Sequence, residues 1–203
     1  MDLKKFTEET AGESPAPGGG SVGAYVGALG AALGTMVANL SAHKRGWDDK
    51  WDQYSEWAVI GEKHRNELLY LVDEDTRAFD RILAAFGLPK GSDAEKAARA
   101  KAITEATKGA INTPLRTMEV CVESMALMQA MAETGLPASV SDAGVGAVCA
   151  RAGAIAGYLN ILINCSGLND ADFKTKVLAK AEALRSEAEA LEADVMRVTL
   201  SKM

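Results

Sequence analysis

The sequence predicts an all-α fold, a bundle of about five long helices that forms one domain over residues 1–203. Apolar residues recur at spacings of three and four along most of the chain, which is the helical period, and no segment alternates as a strand does. Glycine and proline interrupt this pattern at only a few places. With 48% apolar and 25% charged residues, the composition is that of an ordinary globular domain and not of a disordered chain.

Two of the long helices are predicted in the first half of the chain. A short N-terminal helix leads into a turn over residues 12–20, and the first long helix covers about residues 21–41. The second covers about residues 49–86. It ends at Gly87 and Pro89, because both residue types are common just beyond the end of a helix.

Three further long helices are predicted in the second half. The first begins at Ser92 or Asp93, where Ser92 and Glu95 form a capping-box pattern, and runs to about residue 134 with a kink or break before Pro114. The next spans about residues 141–165. The last begins near residues 169–170 and reaches the C-terminus, and its apolar residues alternate steps of four and three, which predicts a packed seam.

Charge and cysteine content exclude several classes of protein. The chain has 22 Lys and Arg and 28 Asp and Glu, which gives a net charge of −6. It has no block of basic residues of the kind that binds nucleic acid. The three cysteines lack a Cys-x-x-Cys spacing, so we expect a reduced, cytoplasmic protein without a thiolate metal site. Residues 22–40 carry no charge, but glycine and alanine dominate them, which favours a buried helix over a membrane span.

A proline- and glycine-rich segment, Ser14–Ser21, precedes the first long helix. Gly18, Gly19 and Gly20 would let backbone N–H groups approach an anionic or polar ligand at the positive end of the helix dipole. The alternative is a tight turn capped by Ser21. Small residues four apart within the helix also allow a close helix contact, inside the core or across a dimer interface.

Asp75 is predicted on the apolar face of the second long helix, three residues after Val72 and four before Phe79. A buried, ionised carboxylate is costly unless it is paired, so Asp75 is either a structural residue with a partner or part of a site with a shifted pKa. His64 lies on the same face, where a hydrogen-bonded core role is the more common one.

Polar residues also mark the predicted helix over residues 141–165. Ser141 and Asp142 lie at its start, where capping and the helix dipole alone would explain an acidic residue. Asn160 and Asn164 lie one turn apart in an uncharged segment. Buried amides need hydrogen-bond partners, so these two either join helices or contact a ligand.

The segment after the first long helix is basic and aromatic. His43, Lys44 and Arg45 precede Trp47. Cations are favourable at a helix C-terminus in any case, yet this group would also suit a flat aromatic ligand that carries carboxylates. The two histidines of the chain lie far apart, so neither a metal cluster nor a Ser-His-Asp triad is predicted.

These motifs occur in an order that is known from one protein family. They resemble the cyclodeaminase/cyclohydrolase family of folate enzymes over nearly the whole chain. The resemblance implies an all-helical homodimer that acts on one-carbon tetrahydrofolates. The residues that carry it are Ser14–Ser21, Met36–Leu40, Lys44, Asp73–Asp75, Ala78, Phe79, Gly87–Lys90, Thr113–Leu115, Ser141–Gly144, Tyr158–Asn160 and Asn164.

The family has two branches. A formimidoyltetrahydrofolate cyclodeaminase, an enzyme of histidine degradation, closes 5-formiminotetrahydrofolate to 5,10-methenyltetrahydrofolate and releases ammonia. A methenyltetrahydrofolate cyclohydrolase converts the methenyl compound to 10-formyltetrahydrofolate. Residues 41–49 resemble the cyclodeaminase branch, which we favour, whereas the stand-alone length favours the cyclohydrolase. A non-catalytic folate-binding dimer is a third alternative, because Leu136 and Ala138 stand where the family commonly has asparagine.

The resemblance also implies roles for the polar residues, in one pocket formed within a chain or across subunits. Asp142 and Asp75, with His43 as a further candidate, would transfer protons. The tetrahydrofolate is the substrate, so no cofactor or metal is implied, and a formiminotransferase domain or protein is the expected partner besides a second copy. The substrate-binding residues would be Asn39, Asn160 and Asn164 at the pterin, Lys44 and Arg45 at the glutamate tail, and Gly18, Gly19, Gly20, Ser21 and Ser141 around them.

Overall fold

The computed structural model describes residues 2–203, and helices form nearly all of that part of the chain. Short 3-10 turns at Asp48–Lys50 and Pro137–Ser139 each lead into a long helix. The predicted all-α fold with five long helices is therefore confirmed. The helices are α1 (Leu3–Thr10), which is short, and α2 (Gly19–Ala42), α3 (Trp51–Phe86), α4 (Asp93–Thr134), α5 (Val140–Ser166) and α6 (Ala171–Ser201).

Side-chain caps set the starts of α4 and α6. Ser92 Oγ accepts a hydrogen bond from the Glu95 N–H at 3.2 Å, and the Glu95 carboxylate accepts one from the Ser92 N–H at 2.7 Å. The capping box predicted from the sequence is therefore present. Asp170 accepts a hydrogen bond from the Phe173 N–H at 3.0 Å, so α6 begins directly after Asp170.

A kink or break was predicted before Pro114, and the break is absent, because α4 runs through this residue as one helix. Proline has no N–H, so the carbonyl of Ala110, four residues earlier, loses its partner within the helix. The Asn164 amide on α5 donates a hydrogen bond to that carbonyl at 3.0 Å. The contact between α4 and α5 thus replaces the bond that the proline removes.

The centre of the bundle is α2, which packs between α3 and α5. Helix α4 packs behind these three, and α6 packs on α4 and α5. A Cβ added to Gly30 would lie 2.7 Å from the Gly146 carbonyl oxygen, and one added to Gly153 would lie 2.8 Å from the Gly23 carbonyl oxygen. These contacts require glycine and make α2 and α5 antiparallel, so that α5 begins beside the end of α2.

Two segments, Gly19–Ala42 and Pro137–Ser166, are long and apolar enough to cross a membrane by length and composition alone. Of their apolar windows, 61% and 39% respectively are buried inside the bundle. A helix at the centre of a bundle has the same composition as a membrane span. A smaller fraction of the window is buried in the segment that contains α5 than in α2, so α5 exposes more of its apolar residues.

Candidate active site

The N-terminal end of α2 is capped by a carboxylate from another helix. Gly18 precedes α2 and has no side chain to cap it. Asp75 on α3 takes this role, because its Oδ2 accepts a hydrogen bond from the Ser21 N–H at 2.8 Å. The Ser21 hydroxyl lies 3.0 Å from the same Oδ2 and 3.0 Å from the Val72 carbonyl oxygen. Asp75 therefore joins α3 to one of the free N–H groups at the start of α2.

This approach requires glycine at position 20. A Cβ added there would lie 2.6 Å from the carboxyl carbon of Asp75, a separation that real Cβ atoms essentially never show. A Cβ added to Gly19 would meet the Asn160 amide nitrogen at 3.2 Å, which is tight but not a full overlap. The glycines predicted to admit a ligand near the backbone thus first admit the side chains of α3 and α5.

The carboxyl of Asp75 is enclosed without a cation. It forms no ion pair with any of residues 2–203, and its Oδ1 accepts no hydrogen bond from them. Burial raises the pKa of the Asp75 carboxyl, and the two hydrogen bonds from Ser21 oppose part of that rise. Asp75 is thus both a structural cap and a carboxyl with a shifted pKa, the two roles that the sequence left open.

Asn160 and Asn164 on α5 face the same cavity, and each side chain makes only one hydrogen bond with residues 2–203. The Asn160 amide donates to the Ala156 carbonyl at 2.8 Å, and the Asn164 amide donates to the Ala110 carbonyl. Neither Oδ1 accepts a hydrogen bond from the part of the chain that the structure describes. Both side chains are half-buried, so their carbonyl oxygens are acceptors held ready for a ligand.

A cavity of about 220 Å³ brings these groups together. No cationic side chain lines it, among residues 2–203. Apolar side chains of α3 complete one wall, and the segment that precedes α2 forms another. The lining residues are Pro15, Ala16, Gly18, Gly19, Asp75, Phe79, Ile82, Ala110, Asn160 and Asn164.

Some residues that line this cavity were not among the site residues predicted from the sequence. Phe79 and Ile82 share the apolar face of Asp75, so helical spacing already placed them nearby. Ala110 is different, since any residue type offers a backbone carbonyl. The signal for it was Pro114, which frees the carbonyl four residues earlier.

The other predicted site residues lie at the opposite end of α2. Asn39 and His43 line a shallow, open cleft of about 430 Å³ together with Arg65. Lys44 and Arg45 are exposed and form no ion pair with any residue from 2 to 203. At 1.5 Å per residue, Asn39 is about 30 Å from Gly20 along the helix axis. Within one chain, these residues do not reach the Asp75 cavity.

Ser141 and Asp142 also lie at this far end. They occupy the first turn of α5, which begins beside the end of α2 because the two helices are antiparallel. Ser141 is exposed and Asp142 is half-buried, and neither lines the Asp75 cavity. The adjoining turn is held by Ser41, whose Oγ accepts a hydrogen bond from the Leu136 N–H at 2.8 Å. Asp75 and Asp142 therefore do not share one pocket within a single chain.

Residues 2–203 contain no group of three or more His, Cys, Asp or Glu side chains placed to hold a metal ion. The three cysteines are free thiols, with Cys121 and Cys165 buried and Cys149 half-buried. Burial raises the pKa of the Cys121 thiol to about 12. This thiol packs against Gly27 and Gly153 and serves the core as a small apolar group.

The sequence of this chain is similar to those of known folate enzymes. The sequence profile of the formiminotransferase-cyclodeaminase family matches residues 2–183. The chain is 38% identical over 201 residues to a methenyltetrahydrofolate cyclohydrolase of Methylorubrum extorquens, covering 99% of this chain and 97% of that protein. It is 34% identical over 186 residues to the formimidoyltransferase-cyclodeaminase of Rattus norvegicus, covering 92% of this chain and 34% of that protein.

A solved structure shares the fold over almost its full length. The crystal structure of formiminotetrahydrofolate cyclodeaminase from Thermotoga maritima aligns with a TM-score of 0.87 and 27% sequence identity, covering 99% of this chain and 96% of that one. The aligned region includes the helices that hold Asp75, Asn160 and Asn164. By sequence and by fold, the chain belongs to the formiminotransferase-cyclodeaminase family of folate-converting enzymes.

Proposed function

We propose that the chain converts one-carbon tetrahydrofolates through 5,10-methenyltetrahydrofolate, and that its own reaction is the cyclodeamination of 5-formiminotetrahydrofolate. The observation that carries this proposal is the carboxyl of Asp75. It is half-buried and forms no ion pair with any of residues 2–203, it lines a cavity with two asparagine carbonyls, and its Oδ1 makes no hydrogen bond with those residues. A carboxyl in this setting can exchange a proton with a bound substrate.

Cyclodeamination needs such a proton transfer. The substrate's N10 attacks the formimino carbon on N5, a C–N10 bond forms, and the bond from that carbon to the outer nitrogen breaks. The outer nitrogen gains one proton from N10 and one from an acid, and leaves as ammonia. Because burial raises the pKa of Asp75, a larger fraction of this carboxyl is protonated than in water, and we assign it as the acid.

The remaining groups of the cavity would bind and orient the pterin. The Oδ1 atoms of Asn160 and Asn164 accept hydrogen bonds from ring N–H groups, and Phe79 contacts the ring face. A cavity of about 220 Å³ is smaller than the 300–1,000 Å³ usual for a whole ligand, so it takes only the pterin end. Holding N10 close to the formimino carbon would supply several kcal/mol of the barrier reduction.

The second candidate is methenyltetrahydrofolate cyclohydrolase. The observation in its favour is the relative from Methylorubrum extorquens, which carries this name and matches the chain over 97% of its own length. In this reaction water adds to the methenyl carbon, the bond from that carbon to N5 breaks as N5 takes up one proton of the water, and the other proton is released. Asp75 in its ionised form would accept that proton, so the same residues would serve both reactions.

One pair of assays separates these candidates. The purified protein is given 5-formiminotetrahydrofolate and 5,10-methenyltetrahydrofolate in parallel, and the methenyl absorbance is followed. A rise on the first substrate with release of ammonia supports cyclodeamination, and a decay on the second with formation of 10-formyltetrahydrofolate supports the cyclohydrolase. Turnover of neither, with folate binding measured by calorimetry, would leave the non-catalytic alternative motivated by Leu136 and Ala138.

We further propose that two copies of the chain form a homodimer across the outer faces of α2 and α5. Helix α2 has no charged residue in 24, yet Met36 and Leu40 on it are exposed, as are Val145 and Val148 on α5. A two-fold axis would let one such face cover its copy. In analytical ultracentrifugation the Val148→Glu variant should be a monomer. Leu200→Glu also places a carboxylate at an exposed apolar site, on α6, and this variant should remain a dimer. Dimers in both variants would refute this interface.

A formiminotransferase is the partner that cyclodeamination would require. The name of the relative from Rattus norvegicus joins a formimidoyltransferase to a cyclodeaminase, and the present chain spans 34% of that protein. We therefore propose that the 5-formimino substrate reaches this chain from a transferase, as a separate protein or as a further domain. When a formiminotransferase forms the 5-formimino substrate in the assay, addition of this chain should release ammonia and raise the methenyl absorbance.

A further inference from the structure

The side chain of Ser21 is fully buried at the start of α2, and its hydroxyl lies between two acceptors. Its Oγ is 3.0 Å from the Val72 carbonyl oxygen and 3.0 Å from Asp75 Oδ2. The Thr76 hydroxyl is farther away, at 3.4 Å. A hydroxyl has a single proton to donate, so Ser21 cannot serve both acceptors at the same time. The stronger of the two acceptors therefore receives it.

The stronger acceptor changes with the protonation state of Asp75. An ionised carboxylate accepts stronger hydrogen bonds than a neutral carbonyl does, so the Ser21 hydroxyl donates to Oδ2 when Asp75 is ionised. Protonation removes that charge. The amide carbonyl of Val72 is then the stronger acceptor, because its nitrogen shares electron density with the oxygen by resonance. The hydroxyl is expected to turn to Val72 in this state.

The backbone N–H of Ser21 determines where the proton of Asp75 is held. It donates to Oδ2 at 2.8 Å, and the backbone position of this donor does not depend on the state of the carboxyl. Oδ1 accepts no hydrogen bond from residues 2–203, and the carboxyl lines the cavity. The proton of the acid form therefore belongs on Oδ1, where a bound substrate can reach it.

No other charged or titratable side chain of residues 2–203 lines this cavity. Helix α2 has no charged residue, and the walls from α4, α5 and the segment before α2 consist of alanine, asparagine, proline and glycine. On α3, Glu74 pairs with Arg77 at 2.9 Å and Arg81 at 2.6 Å. Asp73 and Tyr25 line a different cavity. The hydrogen bonds from the start of α2 are thus what favours the ionised carboxyl within this part of the chain.

We infer that Ser21 is a positioning residue for Asp75, whose hydroxyl donates to Oδ2 in the ionised state and to the Val72 carbonyl in the protonated state. Because a buried hydroxyl without an acceptor is costly, an acceptor in each state lets the carboxyl release and regain a proton without leaving Ser21 unpaired. The inference rests on the proposed function only for the transfer of that proton to a substrate.

The direct test follows the titration of Asp75 by carbon-13 NMR of its carboxyl, with Asp75→Asn to assign the signal. Ser21→Ala keeps the backbone N–H and removes the hydroxyl bond to the ionised state, so the pKa of Asp75 should rise by about one pH unit. Ser124→Ala is the matched control, because Ser124 is also fully buried but donates to the Cys121 carbonyl at 2.7 Å. It should leave the titration unchanged. No shift in Ser21→Ala, or equal shifts in both variants, would overturn the inference.

Infrared spectroscopy distinguishes a hydroxyl that changes acceptor from one that stays on Asp75. The C=O stretching band of protonated Asp75 is identified by its loss in Asp75→Asn. It should have the same frequency in the wild type and in Ser21→Ala, because the hydroxyl donates to Val72 in that state. A higher frequency in Ser21→Ala would show that the hydroxyl donates to the carboxyl in both states, and would overturn the change of acceptor.

The pH profile of activity connects Ser21 to catalysis. If protonated Asp75 is the acid of cyclodeamination, kcat/KM falls as pH rises through the pKa of this carboxyl. In Ser21→Ala this fall should move to higher pH by the same amount as the NMR titration. A titration that moves without the pH profile would support the role of Ser21 and refute Asp75 as the acid. If the wild type turns over no folate, the proposed function fails, and the NMR titration still decides the inference.

Discussion

The two ends of α2 carry polar groups in opposite settings, although one helix forms both. At its start, Gly18–Ser21 lie against Asp75 and Asn160 at a partly enclosed cavity, which no cationic side chain of residues 2–203 lines. At its end, Asn39 and His43 border an open cleft, and the basic residues that follow are exposed. The chemistry available at each end differs because enclosure, and not residue type alone, decides how a charged group behaves.

Glycine explains why only the first end is enclosed. Gly19 and Gly20 let side chains of α3 and α5 come into contact with the backbone of α2, which withdraws Asp75 from water and raises its pKa. The end of α2 has no such glycines, and His43 and Lys44 keep their contact with solvent. Proton transfer is therefore expected at the start of α2, and its end offers at most solvated charges.

The largest effect is expected from Asp75→Asn. The amide keeps the shape of the carboxyl and an acceptor for the Ser21 N–H, so the fold should persist, but it cannot supply a proton. We expect kcat to fall about 10²- to 10⁴-fold, measured by the methenyl absorbance assay, with an unchanged circular dichroism spectrum. Asp142→Asn makes the same chemical change at the other end and should affect kcat far less. Equal losses of kcat in both variants would show that Asp75 and Asp142 belong to one site formed across subunits.

Gly20→Ala tests the enclosure itself. The new Cβ would overlap the Asp75 carboxyl, and the resulting displacement should lower the free energy of unfolding by about 1–3 kcal/mol. Gly109→Ala is the matched control in α4, where nothing lies within 4 Å of an added Cβ. That change should raise the free energy of unfolding by about 0.5–1 kcal/mol, because alanine favours a helix. Urea denaturation measures both, and a stable Gly20→Ala would contradict the close approach.

The raised pKa of Asp75 also predicts how stability depends on pH. An acid whose pKa is higher in the folded state binds more protons folded than unfolded, so its contribution to stability is full at low pH and is lost as pH rises through the folded-state pKa. The Asp75→Asn variant has no carboxyl to titrate at this position, so it does not lose this contribution as the pH rises. The free energy of unfolding of the variant relative to wild type should therefore increase from pH 4 to pH 7 in urea titrations. A constant difference would show that Asp75 is not desolvated.

Much of the fold could be predicted from the sequence because helices are local. The period of three and four placed the five long helices within a few residues of their observed ends, and the capping box at Ser92 and Glu95 depended only on neighbours in the chain. Asp75 was identified by the same reasoning, as a carboxyl on an apolar face. These features needed no knowledge of how one helix lies against another.

The composition of the cavity could not be predicted in the same way. That Asp75 caps α2 across 54 residues, or that Asn164 meets the carbonyl freed by Pro114, depends on the register between helices. Glycine contacts such as that between Gly30 and Gly146 set this register, and they also place Asp142 away from Asp75. Whether the other polar motifs share a pocket with Asp75 depends on the direction of each helix and on contacts between subunits, which the local pattern does not encode.

The smallest effect is expected from the cations at the end of α2. Within one chain Lys44 and Arg45 lie about 30 Å from the glycine end, well beyond the screening length of about 8 Å at physiological ionic strength. Lys44→Ala/Arg45→Ala should therefore change KM for the tetrahydrofolate substrate by less than about twofold, measured by the methenyl absorbance assay. A larger rise in KM would mean that a partner subunit brings the end of its α2 to the Asp75 cavity, because no contact within residues 2–203 of one chain can do so.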